Sequence, residues 1–377
     1  MRVTMVNKYY SPPHLGGVET VVATLSAALA ARGADVSALV ANEAGSTVTE
    51  IIDGVHVTRL ARIATVAKTP IALGMRRAIR EAAIGPTPTD IIQLNHPYPW
   101  GEAAWLTSGA KVPMVIGYHA DITRQKRLLA LYRPVLDRVF DGAAAIVASS
   151  PNIVQGSPML ARYADKVRVI PYGIEPALYD ATPKVAARVA ELRSGHSRPV
   201  VLFVGRLVYY KGADVLMRAM RGVDADLVVI GSGPLEDQLR ELAQAGGITE
   251  RVTFLPPQPF GELVARYRAA DVFCLPSTAR AESFGIVQLE AQVCGVPCVS
   301  TDLPTSVPYV NLDGVTGTTV PAGDVEALTE ALQRLVADAG LRERLGRQGR
   351  ERVLAGFTVE HMTSSYLALY RELSGVE

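Results

Sequence analysis

Four charged side chains set the chemical problem. Arg206 and Lys211 stand in "GRLVYYKG" (205–212), while Glu282 and Glu290 lie eight positions apart in "RAESFGIVQLEAQVCGVPCVS" (280–300). That spacing is too wide for a carboxylate dyad or a shared metal on one helical turn, but it suits a ligand lying along the start of a helix. Two cations in a loop that opens a helix, beside free amide N–H groups, make an anion site. Taken alone they fit a solvated loop with a surface ion pair equally well or better. A helix starting near Phe284 would aim the amides around Gly285 and Ile286 at a diphosphate, and Gly285 would allow close backbone approach. Glu290 would then sit about one turn (~6 Å) beyond Ile286, within reach of ribose hydroxyls. Glu282, in the loop, would face the group beyond the diphosphate. The plain alternative for the two glutamates is a capping acid and a helix-surface residue.

The elements that must hold these residues are short apolar runs alternating with helical stretches. The first half carries "RVTMV", "DVSALVA", "VHVTRL", "DIIQLN", "VPMVIGY", "AAIVASS" and "KVRVIPY"; the second carries "VVLFVG", "LVVIGSG", "VTFLP", "DVFCLPS" and "PCVS". Near-continuous apolar strands between helices imply parallel sheets covered on both faces. The rhythm restarts after a polar stretch, so two consecutive doubly wound α/β domains are expected: 1–180, 181–357, and a helix at 358–377 crossing back to the first. In such sheets ligands bind at the carboxyl ends of the strands, which is where Arg206, Lys211 and Glu282 fall.

Composition narrows the class. The 377 residues are 49% hydrophobic with a net charge of +1, which leaves ample apolar material for two cores and argues against a nucleic-acid binder. The three cysteines, Cys274, Cys294 and Cys298, sit in apolar company without a pairing framework, so buried thiols in a reducing compartment are expected. No leader-like segment or membrane-length apolar run is read, and the expected location is cytoplasmic.

The pattern E-S-F-G-x-x-x-x-E, with G-R-x-x-x-x-K-G upstream, resembles the retaining glycosyltransferases of family 4. "SPPHLGGVET" is similar to that family's G-G-x-E loop, "VIPYGIE" to its segment at the domain crossing, and "VVIGSGPLEDQLREL" to its G-x-G-x-x-x-x-L stretch. The resemblance implies the GT-B architecture, two Rossmann-like domains facing a central cleft. It also implies roles. Arg206 and Lys211 hold the donor diphosphate and stabilise the leaving nucleotide, Glu290 binds ribose, and Glu282 orients the donor sugar. Ser283, Phe284, Gly285 and Ile286 form the donor-binding turn, and Gly16 and Gly17 bring backbone amides to the phosphate side. His119, after "VPMVIGY", matches a family histidine near the reacting centre; Asp121 would orient the acceptor or that histidine. Tyr172 and Glu175 depart from the family's usual Asn and Asp, so neither is assigned a contact.

The resemblance implies a nucleotide-diphospho-sugar as donor substrate, with no cofactor and no metal. The donor reading leans to a GDP-hexose such as GDP-mannose, with a UDP-sugar as the alternative. The expected acceptor is a lipid-linked or polysaccharide glycan. Arg124, Lys126, Arg127, Arg133 and Arg138 give the stretch 124–138 a basic face, with Leu128, Leu131, Val135 and Val139 at helical spacing. That face fits either an anionic acceptor or inner membrane surface, or simply solvent. Rival readings are a sugar-nucleotide 2-epimerase of the same architecture, a non-catalytic nucleotide-sugar-binding subunit, and a dehydrogenase suggested by "GSGPLE". The dehydrogenase lacks the third small residue at Glu236. Asp224 and Asp226 form a D-x-D that would bind metal in another glycosyltransferase architecture; before a strand, they are read as turn and strand-start residues.

Overall fold

The computed structural model describes residues 1–12, 16–122 and 126–376, apart from the side chains of 126–129. The chain divides into two compact units, Met1–Gly173 with Val359–Glu377, and Ile174–Thr358. The division thus falls at 173/174, ahead of the expected 180.

The second unit holds a six-stranded, wholly parallel sheet in the order Val252–Leu255, Asp226–Ile230, Val200–Val204, Val272–Leu275, Cys298–Thr301, Gly317–Val320. Numbered along the chain this is 3-2-1-4-5-6, the dinucleotide-fold order. Val201 and Phe203 pack into one core and Val200, Leu202 and Val204 into another on the opposite face, which is why the strand reads as an unbroken apolar run. The chain order reverses between Val200–Val204 and Val272–Leu275. The loops leaving those two strands carry Arg206, Lys211 and Glu282.

The first unit holds an eight-stranded sheet: Val167–Val169, Ala145–Ala148, Met114–Tyr118, Ile91–His96, Arg2–Val6, Asp35–Ala41, Val55–Leu60, Val48–Ile52. The pairs are parallel except the last, where Val48–Ile52 runs antiparallel to Val55–Leu60. This edge strand, unread in the sequence, is mostly exposed and closes through Asp53-Gly54, both at positive φ, a two-residue hairpin turn. A second hairpin, Ala64–Val66 with Thr69–Ile71, was also not foreseen. Here order reverses between Arg2–Val6 and Ile91–His96.

The last helix, Val359–Ser374, belongs to the first unit. Tyr370, fully buried, donates its hydroxyl to Gln93 Oε1 on a central strand, and Arg32 pairs with Glu360. No helix among the described residues is long and apolar enough to cross a membrane.

Candidate active site

The loops at the carboxyl ends of the second unit's strands are built on glycine. Gly212 sits at φ +69°, where a Cβ would lie 1.9 Å from the Pro276 carbonyl oxygen, so only glycine lets the 205–212 loop close on the 276–278 backbone. Thr278 N–H donates to the Tyr210 carbonyl at 2.8 Å and fastens the two loops together. The dinucleotide-like "GSG" finds its reason here as well. A Cβ on Gly231 would meet Gly205 O at 2.0 Å, and one on Gly233 would meet Leu207 O at 2.4 Å, so these glycines serve backbone packing between neighbouring loops.

Within this frame Lys211 Nζ lies 2.6 Å from Glu282 Oε2, with both side chains about nine-tenths buried. Ser277 Oγ donates to the same carboxylate oxygen at 3.3 Å. Arg206 is exposed at the rim of the same loop. Glu290 accepts from Tyr267 Oη at 2.6 Å. Its pKa is raised by burial against the opposing pull of the Tyr267 and Tyr179 hydroxyls and the Lys211 charge. Lys211 therefore acts electrostatically on both glutamates, which stand eight positions apart in sequence.

The expected helix start near Phe284 is corrected. The helix is Val287–Val293, because Gly285 at φ +74° leaves the helical region and packs against Leu275 and Gln288. Ser283 and Ile286 are half-buried in this turn and Phe284 is buried. Glu290 lies in the first turn of this helix.

In the first unit, Gly16 is the N-cap and Gly17 the first residue of the helix Gly17–Ala31. The Glu19 carboxylate folds back over Gly16, where a Cβ would sit 2.0 Å from its Oε2. This resembles the acid of a capping box.

His119 is buried, with Nε2 2.9 Å from Asn95 Oδ1 and Nδ1 2.5 Å from Tyr172 Oη. Asn95 turns its amide nitrogen to the Val6 carbonyl at 3.2 Å, which leaves its oxygen as acceptor and assigns the ring proton to Nε2. Burial, with the charge at His96 adding to it, pushes the His119 pKa down to about 3, so the ring is neutral. Tyr172, the departure from the family's Asn, thus finds its contact on this histidine. Asp121 accepts from Ser157 Oγ at 2.7 Å and from Tyr118 Oη.

Sequence reasoning missed a buried pair at the end of the strand Ile91–His96. His96 Nδ1 lies 2.8 Å from Glu102 Oε1, which also accepts from the Tyr98 N–H at 3.0 Å, and Tyr132 Oη donates to Oε2. Burial alone would raise the Glu102 pKa, but the His96 charge and these donors together hold it below the usual carboxylate value. The only sequence signal was a histidine closing an apolar strand with a glutamate in the next helix. Tyr267, Tyr179 and Ser277 were also missed; their spacing from the glutamates carries no local pattern.

The D-x-D carboxylates sit at the opposite, amino end of the second sheet. Asp226 pairs with His196 Nδ1 at 2.6 Å, and Asp224 pairs with Arg198 at 2.9 Å. In the helix Lys126–Asp141, Val139 is buried, whereas Leu131 is exposed, so the four apolar positions do not form one core stripe. Arg124 lies outside the described residues, as do the side chains of Lys126, Arg127 and Leu128.

A family model described as glycosyl transferases group 1 matches residues 187–352, and one described as Glycosyltransferase Family 4 matches residues 15–178. The chain is 33% identical over 373 residues to the O-antigen chain mannosyltransferase C of Escherichia coli, covering 99% of both chains. It is 34% identical over 360 residues to the D-rhamnosyltransferase WbpZ of Pseudomonas aeruginosa, covering 95% and 92%. Among solved structures it is similar to the sucrose-phosphate synthase of Thermosynechococcus elongatus, with a TM-score of 0.82, 25% identity and full coverage of both chains. The fold is shared with Anabaena HepE in complex with UDP, with a TM-score of 0.78 and 18% identity over 99% and 100% of the chains. Two doubly wound units with a charged switch-point site define a GT-B glycosyltransferase. The chain belongs to the group 1 glycosyltransferases of family 4. The epimerase and dehydrogenase readings give way to a transferase.

Proposed function

We propose that the protein is a retaining hexosyltransferase that takes its sugar from a nucleotide-diphospho-sugar, with GDP-mannose or a related GDP-sugar preferred over a UDP-sugar. The acceptor is a hydroxyl of a lipid-linked or polysaccharide glycan. The observation that carries this reading is the buried Lys211–Glu282 pair at the switch point of the second sheet, with Glu290 in the first turn of the helix that follows. The kinship with a mannosyltransferase and a rhamnosyltransferase supports the choice of sugar and acceptor.

In this reading Arg206 and Lys211 stabilise the charge that builds on the departing diphosphate as the anomeric C–O bond breaks. The acceptor oxygen attacks from the same face, and its proton passes to the leaving phosphate oxygen. Glu282 fixes Lys211 and orients the sugar, while Glu290 binds ribose. The backbone around Ser283, Phe284, Gly285 and Ile286 lines the diphosphate. Neutral His119 and Asp121 serve the sugar and acceptor. The two cations supply the charge that a metal would otherwise bring, so the reaction proceeds without one. The enzyme works in the cytoplasm, with peripheral contact at the inner membrane surface.

The test is a thermal-shift panel of GDP, UDP, ADP and dTDP in EDTA, on wild type and Glu290→Ala. Stabilisation by one nucleotide, abolished in the variant, supports the donor site and names the base. No response to any of the four overturns it.

A further inference from the structure

The first unit contains a cavity of about 400 Å³, within the range of small-molecule sites. Its walls come from the hairpin Ala64–Val66 with Thr69–Ile71 and from the helices Pro99–Ser108 and Lys126–Asp141. Val66, Ile71, Trp100, Ala103, Leu131 and Val135 supply most of the lining.

Two observations define what fits there. The polar tips of the lining aromatics are spent elsewhere: Trp100 Nε1 donates to the Ala72 carbonyl at 2.7 Å, and Tyr132 Oη donates to Glu102. Among the described residues this leaves Thr69 with the one uncommitted side-chain hydroxyl of the lining, fewer polar groups than the several fixed hydrogen bonds by which a sugar or a base is recognised. The lining also carries apolar side chains held in water. Leu131 is 79% exposed and Val66 59%, and Ile63 and Leu73, which flank the hairpin, are each 62% exposed. Large apolar side chains left exposed in and beside one cavity are the mark of a binding surface. Lys68 and Arg133 each follow a lining residue in the chain and are exposed, Arg133 with its Nε 3.7 Å from the Asp137 carboxylate, a solvent-exposed pair that an acidic group can compete for.

We propose that this cavity binds the aliphatic chain of an anionic amphiphile, the chain in the apolar slot and its acidic group toward Lys68 and Arg133. This deepens the proposed function and rests on its lipid-linked acceptor, whose apolar end it would hold.

The chain has two tryptophans, and in a Trp105→Phe background Trp100 reports the cavity alone. The probe is dodecyl phosphate brominated in its chain, below its micelle concentration. Saturable quenching of Trp100 is expected, weakened at least about tenfold (1.4 kcal/mol) by Ala103→Phe, which fills the slot, or by Leu131→Glu, which charges an exposed position. A brominated butyl phosphate should not quench. Absence of quenching, quenching indifferent to both variants, or equal affinity for the butyl compound overturns the proposal, the last by showing an anion site only. Nucleotide-induced stabilisation measured on the same variants confirms folding and reads the donor site separately. Chain binding without nucleotide response sinks the donor reading alone, and the reverse sinks this one alone.

Discussion

Lys211 Nζ and Glu282 Oε2 form a 2.6 Å ion pair across two loops that are more than seventy residues apart in sequence. Lys211→Met leaves the carboxylate nearly buried without its counter-charge and should destabilise the protein by about 3 kcal/mol in urea unfolding. Lys211→Met/Glu282→Gln should recover much of that loss. If Lys211 stabilises the leaving group, both variants lose transfer by about 10²–10³-fold, and recovered stability with recovered transfer would refute its catalytic role.

Glu290 should make stability depend on pH in the unusual direction for a carboxylate. Its folded pKa is raised by burial, so the folded state holds the proton more tightly than the unfolded one. Its contribution is fully present below the unfolded pKa and is lost as pH rises through the folded value. Glu290→Gln should therefore flatten the decline in urea midpoint above about pH 4.3 relative to wild type. Parallel pH profiles for the two proteins would count against this.

His119 should stay neutral throughout the physiological range. With its pKa pushed down to about 3, its proton-detected titration should show no step between pH 5 and 8. As a depressed base it contributes stability that is complete above about pH 6.5 and falls away as pH drops toward the folded value. Tyr172→Phe removes the donor to Nδ1 and should cost about 1–3 kcal/mol. A His119 resonance titrating near neutrality would contradict the buried, doubly bonded ring.

Gly212→Ala should disturb the site without touching a charged group. The new Cβ collides with Pro276 O at a left-handed backbone position, a strain of about 1–3 kcal/mol or more. Nucleotide-induced stabilisation should shrink as the 205–212 loop lifts away. An unchanged nucleotide response would show that the loops bind independently of this contact.

The sequence by itself determined the strands of both sheets that are buried on two faces, because continuous apolar runs admit little else. It also determined that Arg206, Lys211 and Glu282 lie in loops at one end of the second sheet, because parallel strands place their carboxyl ends together. It missed Val48–Ile52 and the hairpin at residues 64–71, whose side chains are largely exposed and whose apolar residues are broken up by polar ones, so that no buried run marks them. It placed a helix start at Phe284, where the left-handed Gly285 forbids one. The partners of the functional groups were decided only in three dimensions: Tyr267 on Glu290, Tyr172 and Asn95 on His119, and Glu102 on His96. Hydrogen bonding between residues far apart in the chain leaves no periodicity behind, and burial, which sets the charge state of His119 and Glu290, belongs to the packed fold and not to either residue.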